Sequence, residues 1–181
     1  REVAEKSYSL DPNNPDSVMN IAYLFRFSDD EIKYKEFVNK AVEINPHHSR
    51  SLQAKGMLEL NESNYDHSID LLNRAYESDP SRVPFYETMI LFCHLGKNDW
   101  LSANQTVDRC MRKNDHSRFH AFKAVILAYM GKIQESQDWL KKYQENRPEI
   151  KTLKDYENVV PEINQTVKEI LLNGMKKAGL E

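Results

Sequence analysis

The chain of 181 residues is poor in the punctuation that most β-rich folds need: it holds five glycines and seven prolines. That scarcity disfavours sandwiches and barrels, which place such residues at every turn. Cysteine is scarcer still. Cys93 and Cys110 both fall at apolar positions of helical patterns, so buried free thiols are expected rather than a bridge. Such usage is ordinary for intracellular proteins, and a cytoplasmic location is the expectation. No apolar stretch reaches about 18 residues, which excludes a membrane-spanning helix. An excess of one charge is missing as well, since 25 basic and 28 acidic side chains are mixed along the chain for a net charge of −3. Without a basic run, direct contact with a nucleic-acid backbone is not expected.

The motifs of common chemistry are also missing. There is no Walker loop, GxGxxG, GxSxG or HExxH. His47 and His48 are neighbours that point apart and read as a solvated turn pair. His116 and His120 stand four apart near a helix start, but no third ligand lies at useful spacing. Cys93 directly precedes His94, poor geometry for an activated thiolate on a helix. Asp29 and Asp30 read as a cap or solvated loop, and the sequons at Asn61, Asn104 and Asn164 are expected by chance in a chain rich in Asn, Ser and Thr. The expectation is therefore a non-enzyme without cofactor or metal. Because the chain starts at Arg1 without an initiator methionine or signal-like segment, it reads as an excised domain.

What the sequence does contain is a period. Pro12, Pro46 and Pro80 stand 34 residues apart; the next segment ends at Asp115 after 35 and the last at Pro148 after 33. Eight residues before each end lie Ala4, Val38, Leu72, Val107 and Leu140, all apolar. Five before lie Ser7, Ala41, Ala75, Cys110 and Tyr143, mostly small. Residues three apart share a helix face, and small side chains there let a neighbouring helix approach closely. A proline then closes the unit, because it lacks an amide hydrogen and restricts the residue before it. A second helical pattern follows each end: Val18, Leu52, Tyr86 and Ala121 six residues on, and Ala22, Gly56, Ile90 and Val125 ten on. Gly96 and Gly131 punctuate the turns inside the third and fourth hairpins. The spacing predicts helices near 16–27, 31–44, 49–60, 65–78, 84–95, 99–113, 117–130 and 133–146.

The 34-residue period, the apolar-then-small pair, Gly56, Tyr65 and the terminal prolines together resemble tetratricopeptide (TPR) repeats over nearly all of residues 1–148. The departures are Lys55 and Glu59, at places usually apolar, and Asp115 in place of a proline. The resemblance implies an all-α fold, a right-handed superhelix (α-solenoid) of helix hairpins. A partial leading hairpin would occupy 1–12, with full hairpins at about 15–46, 49–80, 83–115 and 117–148. It implies a protein-interaction module that binds a peptide or partner domain on a concave face lined by the first helix of each hairpin.

The residues at that register are Met19, Gln53, Glu87 and Phe122, then Tyr23, Met57 and Leu91, then Arg26, Leu60 and His94. This largely apolar and aromatic stripe suits a helix or extended peptide, though packing between hairpins would bury some of it as core. TPR modules that clamp acidic chaperone tails use Lys, Asn and Arg on this face. Here the matching places hold Met19, Tyr23, Ala54, Pro84 and Thr88, which would leave a carboxylate desolvated and unpaired. The basic residues near the face are Arg26, Arg50 and Arg118.

Beyond Pro148 the period stops, and 149–181 reads as a connector and a capping helix. One helical turn is expected around Leu153 and Tyr156. A final helix is expected to begin at Pro161 and carry Ile163, Val167, Ile170 and Leu171 on its apolar face, with Lys176 and Lys177 in its last turn and Gly179 just past it. Burying those four side chains gives about 6–12 kcal/mol gross, before ordering entropy is subtracted. The closing string LLNGMKKAGLE resembles the ends of bacterial multidomain signalling proteins. Those carry TPR repeats behind a nucleotide cyclase or winged-helix DNA-binding domain, which implies, as the alternative, the regulatory end of such a chain.

Overall fold

The computed structural model describes residues 2–181, apart from the side chains of residues 82–84. All regular structure among the described residues is helical. The helices are α1 (Glu2–Leu10), α2 (Pro15–Phe27), α3 (Glu31–Ile44), α4 (Ser49–Asn61), α5 (Tyr65–Ser78), α6 (Val83–Gly96), α7 (Trp100–Lys113), α8 (Ser117–Tyr129), α9 (Ile133–Asn146), α10 (Leu153–Glu157) and α11 (Gln165–Ala178). A 3-10 turn at Pro80–Arg82 precedes α6. The chain divides into two compact units, Arg1–Tyr86 and Glu87–Glu181, with the boundary inside α6.

In the first unit α2 pairs with α3 and α4 with α5 as antiparallel hairpins, α1 lies on α2, and α3 lies on α4. The periodic positions form the seams. Val18, Ala22, Val38, Ala41, Leu52, Leu72 and Ala75 are all completely buried. Ala4 and Ser7 stand at the same register on α1 but remain half-buried. In the second unit α8 pairs with α9, α7 lies on α8, and α11 packs on both α8 and α9. Val107, Cys110, Val125 and Tyr143 are buried there. Burial, followed by the nearby Glu87 carboxylate, pushes the Cys110 thiol up to about 11.

The repeat extends to single bonds. Ser68 donates its hydroxyl to the carbonyl of Gly56 at 2.7 Å, and Ser136 donates to Ala124 at 2.7 Å. The two bonds sit two repeats apart, and both hydroxyls are fully buried. Each ties the two helices of one hairpin where a polar group would otherwise be orphaned. The turns repeat as well. Asp29 (φ 55°), Ser63 (φ 64°), Asn98 (φ 57°) and Gly131 (φ 77°) each take the left-handed conformation seventeen residues before a hairpin end. Gly131 therefore does what the sequence implied, but Gly96 does not: it is the last residue of α6, and Asn98 makes the left-handed turn. A residue whose side-chain amide can bond locally tolerates that conformation better than most, so the glycine signal misleads there.

The tail differs from expectation at one end. Pro161 is not the first residue of the final helix; Asn164 caps it, accepting from the Val167 amide at 3.0 Å. An N-cap carboxamide satisfies an amide that a proline at the first position leaves open. The apolar face shifts accordingly to Val167, Leu171, Met175 and Ala178, all fully buried, while Ile163 and Ile170 are half-buried. Gly179 follows in the left-handed conformation at φ 103°. α10 starts on a reciprocal capping box between Thr152 and Asp155.

Candidate functional site

Calling the first helix of each hairpin the A helix and the second the B helix, the A helices are α2, α4, α6 and α8. Their residues at the expected binding register divide by burial. Met19 and Leu91 are completely buried, Leu60 and Phe122 are 2% exposed, and Gln53 is 6% exposed. These five are core, because the A-helix surface between neighbouring helices is filled by packing; a partner cannot reach them without displacing a helix. Tyr23, Met57, Glu87 and His94 are half-buried, and Arg26 is exposed. The five accessible residues therefore separate into Tyr23, Arg26 and Met57 in the first unit and Glu87 and His94 in the second.

In the first unit Tyr23 and Met57 occupy the same register on α2 and α4, one repeat apart. The Arg50 guanidinium lies 4.8 Å over the Tyr23 ring. It donates to Asn20 Oδ1 at 2.9 Å and reaches Asp16 Oδ1 at 3.5 Å. His48 is not the solvated turn residue its sequence context implied. Its Nδ1 meets Ser51 Oγ at 2.7 Å and its Nε2 lies 3.3 Å from Asp16 Oδ1. Asp16 sits in the first turn of α2 and Arg50 in that of α4, so both A-helix starts feed one polar network. Sequence reasoning marked Arg50 as near the face. It missed Asn20 and His48, which stand eight and two residues after their hairpin ends and so carry no shared periodic signal. Arg26 sits 5.8 Å over the Tyr34 ring, and burial pushes the Tyr34 phenol up.

In the second unit Glu87 meets Lys113 at 3.1 Å and Arg109 at 3.5 Å. His94 Nδ1 lies 3.8 Å from Asp99, which caps α7 by accepting from the Ser102 amide at 3.1 Å. Phe92 and Phe122 make an edge contact at 5.4 Å inside the core. Of the positions matched to the acidic-tail clamp, Met19, Ala54 and Thr88 are buried, and the Pro84 side chain lies outside the described residues.

The remaining candidates for chemistry stay apart. His116 caps α8 by accepting from the Arg118 amide at 3.2 Å, whereas His120 is buried against Asp115 at 2.7 Å. Among the described residues no three His, Cys, Asp or Glu side chains gather as metal ligands, and no helix is long and apolar enough to cross a membrane. Cys93 and Cys110 are both buried free thiols.

This hairpin succession, with small residues at the seams and half-buried A-helix residues, is the TPR fold. Solved structures bear the class out. The TPR protein YrrB, described as having an unusual peptide-binding site, matches 97% of this chain and 90% of its own at TM-score 0.69 and 15% identity. PilF of Pseudomonas aeruginosa matches 97% of this chain and 76% of its own at 0.71 and 12%. PilW, a type IV pilus biogenesis factor, matches 97% and 78% at 0.71 and 17%. No family model and no curated protein matches the chain. The likeness establishes the fold. It does not carry the multidomain signalling or transcriptional context that the closing string implies.

Proposed function

We propose that the chain is a protein-interaction module, and that the A-helix surface of its first unit, around Tyr23, Met57, Arg26 and Arg50, takes a peptide or a segment of a partner protein. The observation that carries this reading is the Tyr23–Arg50 pair. A tyrosine and an arginine held against each other at 4.8 Å stay accessible, as does Met57 one repeat on, while Met19 one turn before Tyr23 is buried. Tyrosine, arginine and methionine are enriched at protein interfaces, and pre-ordered side chains lose less entropy on binding. Glu87 and His94 form a lesser candidate surface in the second unit. The fold class agrees, since YrrB is described with a peptide-binding site. The chemistry of the face favours an apolar or mixed ligand over an acidic tail, because the Arg50 donors already meet Asn20 and Asp16.

The test is a pull-down with the purified chain followed by mass spectrometry, repeated with the Tyr23→Ala/Met57→Glu double variant. The expected result is loss of specific partners with an unchanged helical circular-dichroism spectrum. A variant that folds and captures the same partners at the same yield would remove the first-unit face as the binding surface.

A further inference from the structure

A second feature lies on the B-helix side of the second unit. Asp108, Met111 and Arg112 share one stripe of α7 at i, i+3 and i+4, and Asp115 follows in the extended segment just past its end. Together with Trp139 of α9 they line an open cavity of about 330 Å³. Among the described residues, none of an A helix lines it. It is thus separate from the A-helix surface described above.

Both carboxylates in this cavity are held from behind by buried groups of α8. Lys123 is 8% exposed, and its ammonium donates to Asp108 Oδ1 at 2.6 Å and to Asn104 Oδ1 at 2.8 Å. His120 is 7% exposed; its Nε2 meets Asp115 Oδ1 at 2.7 Å, and its ring lies 5.3 Å from that of Trp139. Burying an ammonium is costly, so Lys123 fixes Asp108 as its counter-ion in one position. Each aspartate is anchored through one oxygen, while its carboxylate stays open to solvent, Asp108 at 36% and Asp115 at 69%. Trp139 supplies an indole wall that already holds the Lys142 ammonium 4.2 Å from its ring. Two oriented carboxylates, a thioether and an indole form an acceptor set for a cation with an apolar stem. Among the described residues lining the cavity, Arg112 is the one cation.

We propose that this cavity binds an arginine side chain of a partner protein. The planar guanidinium sits between Asp108 and Asp115 and its methylene stem lies against Met111 and Trp139. An arginine is favoured over a lysine because a forked donor serves two separated carboxylates at once. Arg112, exposed on the same lining, opposes the incoming guanidinium by its like charge.

The test uses Trp139 as reporter in a Trp100→Phe background. The full chain is titrated with N-acetyl-arginine amide, which carries no terminal charges, into the millimolar range that a single side chain commands. Saturable quenching of Trp139 is expected, weakened about threefold by Asp115→Asn and tightened about twofold by Arg112→Ala, as removal of one exposed charge implies. N-acetyl-lysine amide should bind more weakly and N-acetyl-aspartate amide not at all. Quenching that is unchanged in Asp115→Asn, or that is lost in Arg112→Ala, would overturn the proposal, as would stronger binding of the aspartate probe. The reporter Trp139 and the varied Asp115 and Arg112 all lie in the second unit, so the outcome is read apart from Tyr23 and Met57 of the first.

Discussion

Gly174 of α11 is more tightly enclosed than Gly56, Gly131 or Gly179, and replacing it with alanine tests how the final helix is seated. A Cβ at this position would lie 2.4 Å from Val125 Cγ1, 3.0 Å from Val125 Cβ and 3.1 Å from Tyr129 Cε2. Two effects oppose each other. In a helix interior, alanine is better than glycine by about 0.5–1 kcal/mol. Against that stands overpacking, which costs about 1–3 kcal/mol in a well-filled core. The neighbours decide the balance. Val125 is completely buried and β-branched, so its χ1 has little freedom. Tyr129 is pinned by a parallel stack on Trp100 at 4.3 Å and by the Lys177 ammonium 4.2 Å from its ring. Neither can yield without breaking other contacts, so Gly174→Ala should destabilise by about 1–2 kcal/mol, or about 2–8 °C in Tm for a domain of this size. Gly56→Ala is the internal control: its Cβ meets nothing closer than Leu72 Cγ at 3.0 Å, and Leu72, unlike Val125, is not branched at Cβ. It should stay within about 1 kcal/mol of neutral. Thermal melts and urea titrations followed by circular dichroism measure both. In a double-mutant cycle with Val125→Ala, the two changes should couple by about 1 kcal/mol or more, since they contest the same volume. A Gly174→Ala variant as stable as the parent, or more so, would refute the close seating of α11 on α8.

Two further outcomes follow from the turns and the buried charge. Gly131→Ala should lower stability by about 1 kcal/mol through backbone strain alone, because nothing lies within 4 Å of its added Cβ at φ 77°, whereas Ser63→Gly at φ 64° should raise it by up to about 1 kcal/mol; equal melting points for these two variants would rule out the repeated left-handed turn. Glu59 is held below the usual carboxylate range: burial alone would raise it, but Lys55 at 2.8 Å, the Asn64 amide at 2.8 Å and His67 outweigh that. Its contribution is therefore complete above the unfolded carboxylate value of about 4.3 and lost as pH falls through the depressed folded value. The stability gap between the parent and Glu59→Gln should narrow between pH 5 and 3, and a gap constant with pH would remove the ionic role.

Much of the fold was legible because each hairpin solves the same packing problem. The apolar and small residues eight and five before each hairpin end could serve only as seams, and Val38, Ala41, Leu72 and Ala75 are completely buried. The binding register was less legible for the same reason. Met19, Leu60, Leu91 and Phe122 share a periodic stripe with Tyr23 and Met57, yet the first four are core and the last two half-buried. Periodicity reports that a face is apolar, not which neighbour covers it. His48, Lys55 and Glu59 were harder still. Their partners lie in other segments or depend on a local fit of charge, and such pairings leave no pattern in a single chain.

The placement of α11 bears directly on where a partner can bind. α8 has ten consecutive buried residues from Phe119 to Ala128, burial on every side rather than along one stripe. It touches α7, α9 and α11, so the surface that an A helix would present is taken by the final helix. Within the second unit, the expected A-helix register is thereby reduced to what α6 exposes, Glu87 and His94, and Glu87 is already engaged by Arg109 and Lys113. Within the first unit, Tyr23 and Met57 are half-buried and Arg26 is exposed, and Arg50 stands pre-ordered over Tyr23. The same device that closes the apolar end of the repeats thus concentrates the proposed A-helix binding surface on the first unit. That leaves the B-helix cavity beside Trp139 as a separate candidate surface of the second.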